Sequence, residues 1–286
     1  MSEHNFDIIE QELRLISEML LLNGTLTECP GLVHGKMGIA VFFFHFAQYT
    51  DNMLFSDYAL DLIIEIQNQL HANSRADYEK GVAGIGIGID YLTRNDFLDI
   101  EDDIFEDLDE RMYRAVMYDP WPNFTLYEGL IGYGKYWTTR LRQQPQSIQA
   151  KECLRYMIER IEDTQQNIPA EEQPQVYHFL YDLHEILGWN LPNGLLEYYW
   201  ELVKNTGWNS SRLGNSAISN IIGIYQRKQY FKDVLQDKMN MALTQISKLK
   251  MENPLPAMGL LTGYAGEGLV RLTALDAKNV SWMQLL

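Results

Sequence analysis

The sequence predicts an all-α fold, and three observations carry that prediction. Segments with apolar residues at helical spacing recur along the 286 residues, and a glycine motif opens alternate ones at a near-constant period. Strand signals are missing, since no alternating Val/Ile/Thr run bounded by Asn-Gly or Asp-Gly occurs.

The glycine motif is G-x-x-G. It reads Gly35-Lys-Met-Gly38, Gly81-Val-Ala-Gly84, Gly129-Leu-Ile-Gly132 and Gly263-Tyr-Ala-Gly266, the first three beginning 46 and 48 residues apart. Gly214-Asn-Ser-Ala217 lies 49 residues before Gly263 as a degenerate copy, and a further decayed unit is expected near Val176 to Leu187. A repeat of this length means stacked supersecondary units that share one core.

Between the motifs lie amphipathic helices. In Asp57 to Leu70 the residues Asp57, Asp61, Glu65, Asn68 and Gln69 make one polar stripe, and Ala59, Leu60, Leu62, Ile63, Ile64 and Ile66 fill the rest. The same pattern recurs in Ile104, Leu108, Met112, Ala115 and Val116, and in Ala150, Cys153, Leu154, Met157 and Ile161. It returns in Phe231, Val234, Leu235, Ala242, Ile246 and Leu249. By contrast, Ile39 to Phe46 is apolar around nearly its whole circumference, which suits a helix surrounded by protein. Outer and inner helices therefore alternate in six pairs: 5–23 with 36–49, 56–72 with 82–94, 100–118 with 130–142, 147–166 with 176–187, 193–206 with 215–226, and 230–250 with 264–275. Inner helices this apolar favour closure into an α/α toroid, a single domain over residues 1–286, because an open solenoid would leave one of their faces wet. Ile39, Val41, Phe42, Phe44, Ile85, Ile87, Tyr133 and Leu269 are expected inside. Glycine costs a helix about 1 kcal/mol relative to alanine. Close backbone approach at a crowded inner ring, or a left-handed turn before each helix, would offset that cost.

Composition narrows the function classes. A net charge of −16 without a clustered basic face disfavours nucleic acid and anionic membrane as partners. No charged-then-apolar leader is seen, and no apolar run approaches the roughly 20 residues that span a bilayer, so a cytoplasmic protein is expected. Cys29 and Cys153 are the only cysteines, too few for a disulfide framework.

With "GLVHGKMGIAVFFFHFAQYT" near the start and "GLLTGYAGEGLVRL" near the end, the chain resembles the lanthionine synthetase C-like family. That resemblance implies an α/α toroid and a peptide substrate or a peptide-modifying enzyme as partner. The family's enzymes use zinc, held by two cysteines and a histidine, to activate a peptide thiol for thioether formation. Here Arg212-Leu213-Gly214 stands where the family carries Cys-His-Gly, and the unit before it, His178 to Trp189, has no cysteine. Neither Arg nor Leu can bind zinc as thiolate and imidazole do, so no metal and no cofactor is expected. A guanidinium at that place would instead leave a fixed positive charge. The chain also has one hairpin fewer than the family's usual seven.

The elaborate loops all precede glycine motifs: Thr27 to Gly31, Asp119 to Phe124, Asn205 to Ser210 and Asn253 to Pro256. They should gather at one end, together with the inner-helix N-termini, whose N–H groups favour anionic or carbonyl ligands. His34, Lys36, Lys80, Tyr127, Glu128, Arg212, Asn215, Thr262 and Tyr264 would line that mouth. The expected function is peptide binding, or help in modifying a peptide. Two alternatives stay open: a six-hairpin glycosidase acting on carbohydrate, which would need two carboxyl groups from Glu28, Asp77, Glu79, Glu128 and Glu267, and a non-catalytic scaffold.

Overall fold

The computed structural model describes residues 3–99, 102–204, 217–232, 236–244, 246 and 257–286. Within them the chain is helical: α1 (Glu3–Asn23), α2 (Lys36–Thr50), α3 (Met53–Gln69), α4 (Val82–Arg94), α5 (Glu106–Met117), α6 (Leu130–Gln143), α7 (Ile148–Thr164), α8 (Gln173–Leu187), α9 (Leu195–Val203), α10 (Ala217–Phe231), α11 (Gln236–Thr244) and α12 (Tyr264–Leu275). The described residues contain no strand. Several boundaries differ from the sequence reading: α3 and α5 are shifted or shortened, helix α8 starts at Gln173 because Pro174 fits a first helical turn, and α10 runs on to Phe231, with α11 over Gln236–Thr244 within the segment expected at 230–250.

Local chemistry explains several of these ends. The Asn52 side chain accepts a hydrogen bond from the Leu54 amide and Ser147 accepts one from Ala150, so both α3 and α7 begin on side-chain caps. Gly188 closes α8 in the left-handed conformation at φ 61°. In α2, every residue from Lys36 to Ala47 is buried, whereas α3 buries only Ala59, Leu62, Ile63 and Ile66. All-round burial of one helix and one-sided burial of the next is the contrast the sequence predicts for this pair. All eight residues expected inside are buried.

The chain forms two compact units. One comprises Met1–Leu70, Arg94–Phe97 and Arg212–Leu286, and the other His71–Thr93 and Leu98–Ser211. In the first unit α12 packs on both α1 and α2, and α2 packs on α3. Arg271 of α12 is wholly buried, its Nε donating to Glu12 of α1 at 2.8 Å while its Nη1 pairs with Glu267. In the second unit α6 packs on α7 and α8, and α8 on α9. Here Arg140 holds Asp109 at 2.9 Å, and Arg142 reaches the buried Asp90 at 3.0 Å.

The glycine motifs have one recurring backbone geometry. Gly35, Gly129 and Gly263 cap α2, α6 and α12 at φ between −126° and −131°, an extended conformation open to any residue. The left-handed turn expected before each helix is therefore not what selects glycine; missing Cβ volume is. In four loops the first helical amide donates to the carbonyl seven residues earlier: Lys36 to Cys29 at 2.9 Å, Val82 to Arg75 at 2.8 Å, Leu130 to Asn123 at 3.0 Å and Tyr264 to Ala257 at 3.0 Å. The chain thus doubles back over the capping residue, and a side chain at that residue would strike the loop.

Candidate functional site

Pairs of glycine loops join by backbone alone. In the second unit the Tyr78 and Glu79 amides both donate to the Tyr127 carbonyl, each at 3.1 Å. In the first unit Leu260 and Leu261 both donate to the Val33 carbonyl, at 2.8 and 3.4 Å. The positions match residue for residue: donors lie three and two places before the first glycine, and the acceptor lies two places before it in the partner loop. The donor's side chain then occupies the space of the partner's second glycine. A Cβ on Gly132 would stand 2.8 Å from Tyr78 Cβ, and one on Gly38 would stand 2.8 Å from Leu260 Cγ. Two residues beyond the second glycine the helices interlock similarly. Gly86 of α4 faces Tyr136 of α6, Gly134 of α6 faces Phe179 of α8, and Gly268 of α12 faces Phe42 of α2, with a Cβ at each glycine falling 2.3 to 2.5 Å from the ring.

The fourth loop lacks glycine and keeps the connection by other means. Glu172 caps α8 where the other units have the first glycine. Its Oε2 accepts from the Phe124 amide at 2.7 Å, and Gln175 Oε1 accepts from the Leu126 amide. Side-chain oxygens thereby do what a loop carbonyl does elsewhere.

This geometry changes what the loop end can offer a ligand. In α12 the first three amides donate to the carbonyls of Ala257, Met258 and Gly259, and the first two of α2 and α4 are satisfied in the same way. These helix starts are internally capped, so the anion-favouring N–H groups expected there are already in use.

The expected mouth residues separate by unit. In the first, His34 is half-buried, Thr262 is exposed and Tyr264 is buried, and the His34 and Gly259 backbones meet closely. Lys36 is buried and pairs with Glu65 of the outer helix α3 at 2.6 Å, so its ammonium serves the packing of α2 on α3. In the second unit Tyr127 is buried, Glu128 is half-buried and Lys80 is exposed beside Glu79 at 3.5 Å. Arg212 and Asn215 lie outside the described residues. Among the carboxylates named for the carbohydrate alternative, Asp77 is buried and fixes its own loop. It accepts from Arg75 Nε at 2.6 Å and the Lys80 amide at 2.8 Å. Glu267 is held by Arg271.

The second unit also assembles a cluster that the sequence reading missed. Lys135 projects from α6 with its Nζ 5.3 Å from the centre of the Tyr78 ring, and Tyr78 lies 6.4 Å from Tyr127. His178 on the adjacent helix α8 sits in the same register as Lys135, six residues after its helix cap, and Asp182 follows one turn on. Burial brings the Lys135 ammonium down to about 8, with Asp182 opposing the shift. His178 falls to about 3, first through burial and then through the Lys135 charge. Burial also drives the Tyr78 hydroxyl up, so it stays protonated. The sequence did carry a signal: where Lys135 stands, the other glycine units have Val41, Ile87 and Leu269.

Among the described residues no three His, Cys, Asp or Glu side chains come together. Cys153 is buried on α7 with its thiol pushed up to about 12, and Cys29 lends its carbonyl to the loop before α2. No described helix is long and apolar enough to cross a membrane. No protein-family model matches the chain, and no curated protein matches it.

Proposed function

We propose that the chain closes into an α/α toroid of the lanthionine synthetase C-like kind, with its glycine loops at one end, and that this end binds a peptide without a zinc–thiolate centre. One observation supports the closure above the rest. The last glycine loop donates to the first in the same register as the second donates to the third, and α12 receives Phe42 of α2 as α4 receives Tyr136 of α6. An end that meets the beginning as neighbours meet in the middle is what a cyclic stack requires, and such a stack would leave no inner face wet.

The peptide reading rests on the resemblance and on the loop chemistry. In the second unit Lys80 is exposed beside Glu79 and the half-buried Glu128, a charged loop surface that a peptide can meet, while Tyr78 and Tyr127 are buried beneath it and hold the loops. The departure at Arg212-Leu213-Gly214 removes the thiol-activating metal, so the role is capture or presentation of the peptide.

The test is an array of immobilised 15-residue peptides probed with the protein and with its Lys80→Glu variant, alongside an array of oligosaccharides. Sequence-selective peptide capture that weakens at least tenfold in the variant is expected. Capture of oligosaccharides alone, or peptide capture indifferent to Lys80, would overturn the reading.

A further inference from the structure

Two helices of the first unit leave apolar surface uncovered. Among the described residues sixteen large apolar side chains are exposed, and eleven of them lie between Phe6 and Ile64. Ordinary surface leucines are scattered singly, so a concentration of this kind marks an interaction surface. Its centre is where α3 meets α1. The Tyr58 hydroxyl of α3 reaches the carbonyls of Leu20 and Leu21 at 3.3 and 3.2 Å, which ties the end of α1 to the first half of α3. Leu21 and Leu22 stand beside that tie, Leu54 lies one turn before Tyr58, and Leu26 follows just past the end of α1. Leu22, Leu26 and Leu54 are 71%, 74% and 72% exposed.

The same stretch carries much of the acid. Residues 1–70 hold ten Asp and Glu against Arg14 and Lys36, so this quarter of the chain supplies half of the net charge of −16. Lys36 is buried against Glu65, which leaves Arg14 as the one exposed Lys or Arg among the described residues of the stretch. Glu18 lies one turn before Leu22, and Asp57 and Asp61 lie three and seven places beyond Leu54 on its helical face; all three are exposed. Those charges choose between occupants. A second copy would bring the same carboxylates face to face, and an anionic membrane would meet them with its own sign. A helix with an apolar stripe between lysines or arginines covers the leucines and pairs the acids at once.

We propose that the face formed by α1 and α3 around Tyr58 is a docking surface for a basic amphipathic helix of a partner protein. The partner's apolar stripe covers Leu21, Leu22 and Leu54, and its cations lie over Glu18, Asp57 and Asp61. This surface belongs to α1 and α3 rather than to the glycine loops, so it stands or falls apart from the peptide reading of the loop end.

The experiment titrates the full-length protein into a fluorescein-labelled, amidated peptide of leucine and lysine whose leucines share one helical face, and follows anisotropy at neutral pH. A peptide of the same composition with its leucines scattered around the helix is the reference. The amphipathic peptide should bind at least about tenfold more tightly than the reference. The double variant Leu22→Glu, Leu54→Glu separates docking from mere charge attraction. It adds acid at exposed positions, so a peptide held by charge alone would bind as well or better, whereas a docked helix should lose about tenfold in affinity. Ile148→Glu, equally exposed on α7, should leave the affinity unchanged. Undiminished binding in the double variant would overturn the proposal, as would equal binding of the two peptides or an equal loss in Ile148→Glu. Sedimentation of the protein as a dimer that the double variant dissociates would also overturn it, since a second copy would then be the occupant.

Discussion

In the first unit the loop before α12 sets Leu260 against Gly38, and the equivalent of Lys135 on α2 is Val41; in the second, the loop before α4 sets Tyr78 against Gly132 and Lys135 follows on α6. The backbone is the same in both: two amides on one carbonyl, a glycine giving way to the neighbouring side chain, an amide returned to the carbonyl seven residues back. Only side chains differ. The joint is therefore specified by missing Cβ atoms and backbone hydrogen bonds, which frees the flanking residues to be aliphatic in one copy and aromatic or charged in another. Both units bury charge in direct ion pairs: Arg271 ties α12 to α1 in the first, and Arg140 ties α6 to Asp109 of α5 in the second.

The strongest way to break the comparison is to strand a charge. Replacing Arg271 by alanine leaves Glu12 buried without its guanidinium, and stability should fall by about 3–5 kcal/mol in urea unfolding. A fall under about 1 kcal/mol would mean that the ion pair does not bind α12 to α1. Next comes the joint itself. Gly132→Val sets a branched carbon where even a Cβ would stand 2.3 Å from the Leu126 carbonyl oxygen and 2.8 Å from Tyr78 Cβ, and should cost about 3 kcal/mol. The same change at Gly38 should cost a similar amount, and a pair differing by more than about 2 kcal/mol would show that the two joints are not equivalent.

The smallest effect is acid sensitivity. His178 and His45 are kept neutral by burial at about 3 and about 4, below the 6.5 of an unfolded histidine. Between pH 6.5 and those values the unfolded chain binds more protons. Stability should therefore hold above pH 6.5 and decline below it, by up to about 1.4 kcal/mol per pH unit for each histidine. In the His178→Leu variant the slope in this range should drop by about half, and an unchanged slope would show that His178 does not titrate as its burial demands.

Most of the helical order was legible because its signals are local. The all-round apolar Ile39 to Phe46, the striped Asp57 to Leu70 and the glycine period placed most helices within a few residues of where they stand. The fourth unit was hard to read because Glu172 and Gln175 replace glycines by side-chain hydrogen bonding, a substitution invisible to a search for glycine. The candidate site was less legible still. Lys36 looked like a free cation at a loop, yet its partner Glu65 lies on another helix, 29 positions along the sequence. Lys135 drew no reading from the sequence; its approach to Tyr78, 57 positions earlier, is something no local pattern reveals.

The ion pair between Glu12 and Arg271 spans 259 positions of sequence, and the Val33 carbonyl waits for the amides of Leu260 and Leu261. On a ribosome the first hairpin is made early but can complete its joint only when nearly the whole chain has emerged. The joints described in the second unit, Tyr78 and Glu79 with Tyr127 and Phe124 with Glu172, close over far shorter spans and can settle first. The first unit then assembles in a late, slow step of high contact order, and until that step α2, the most apolar helix, is without α12 to cover it.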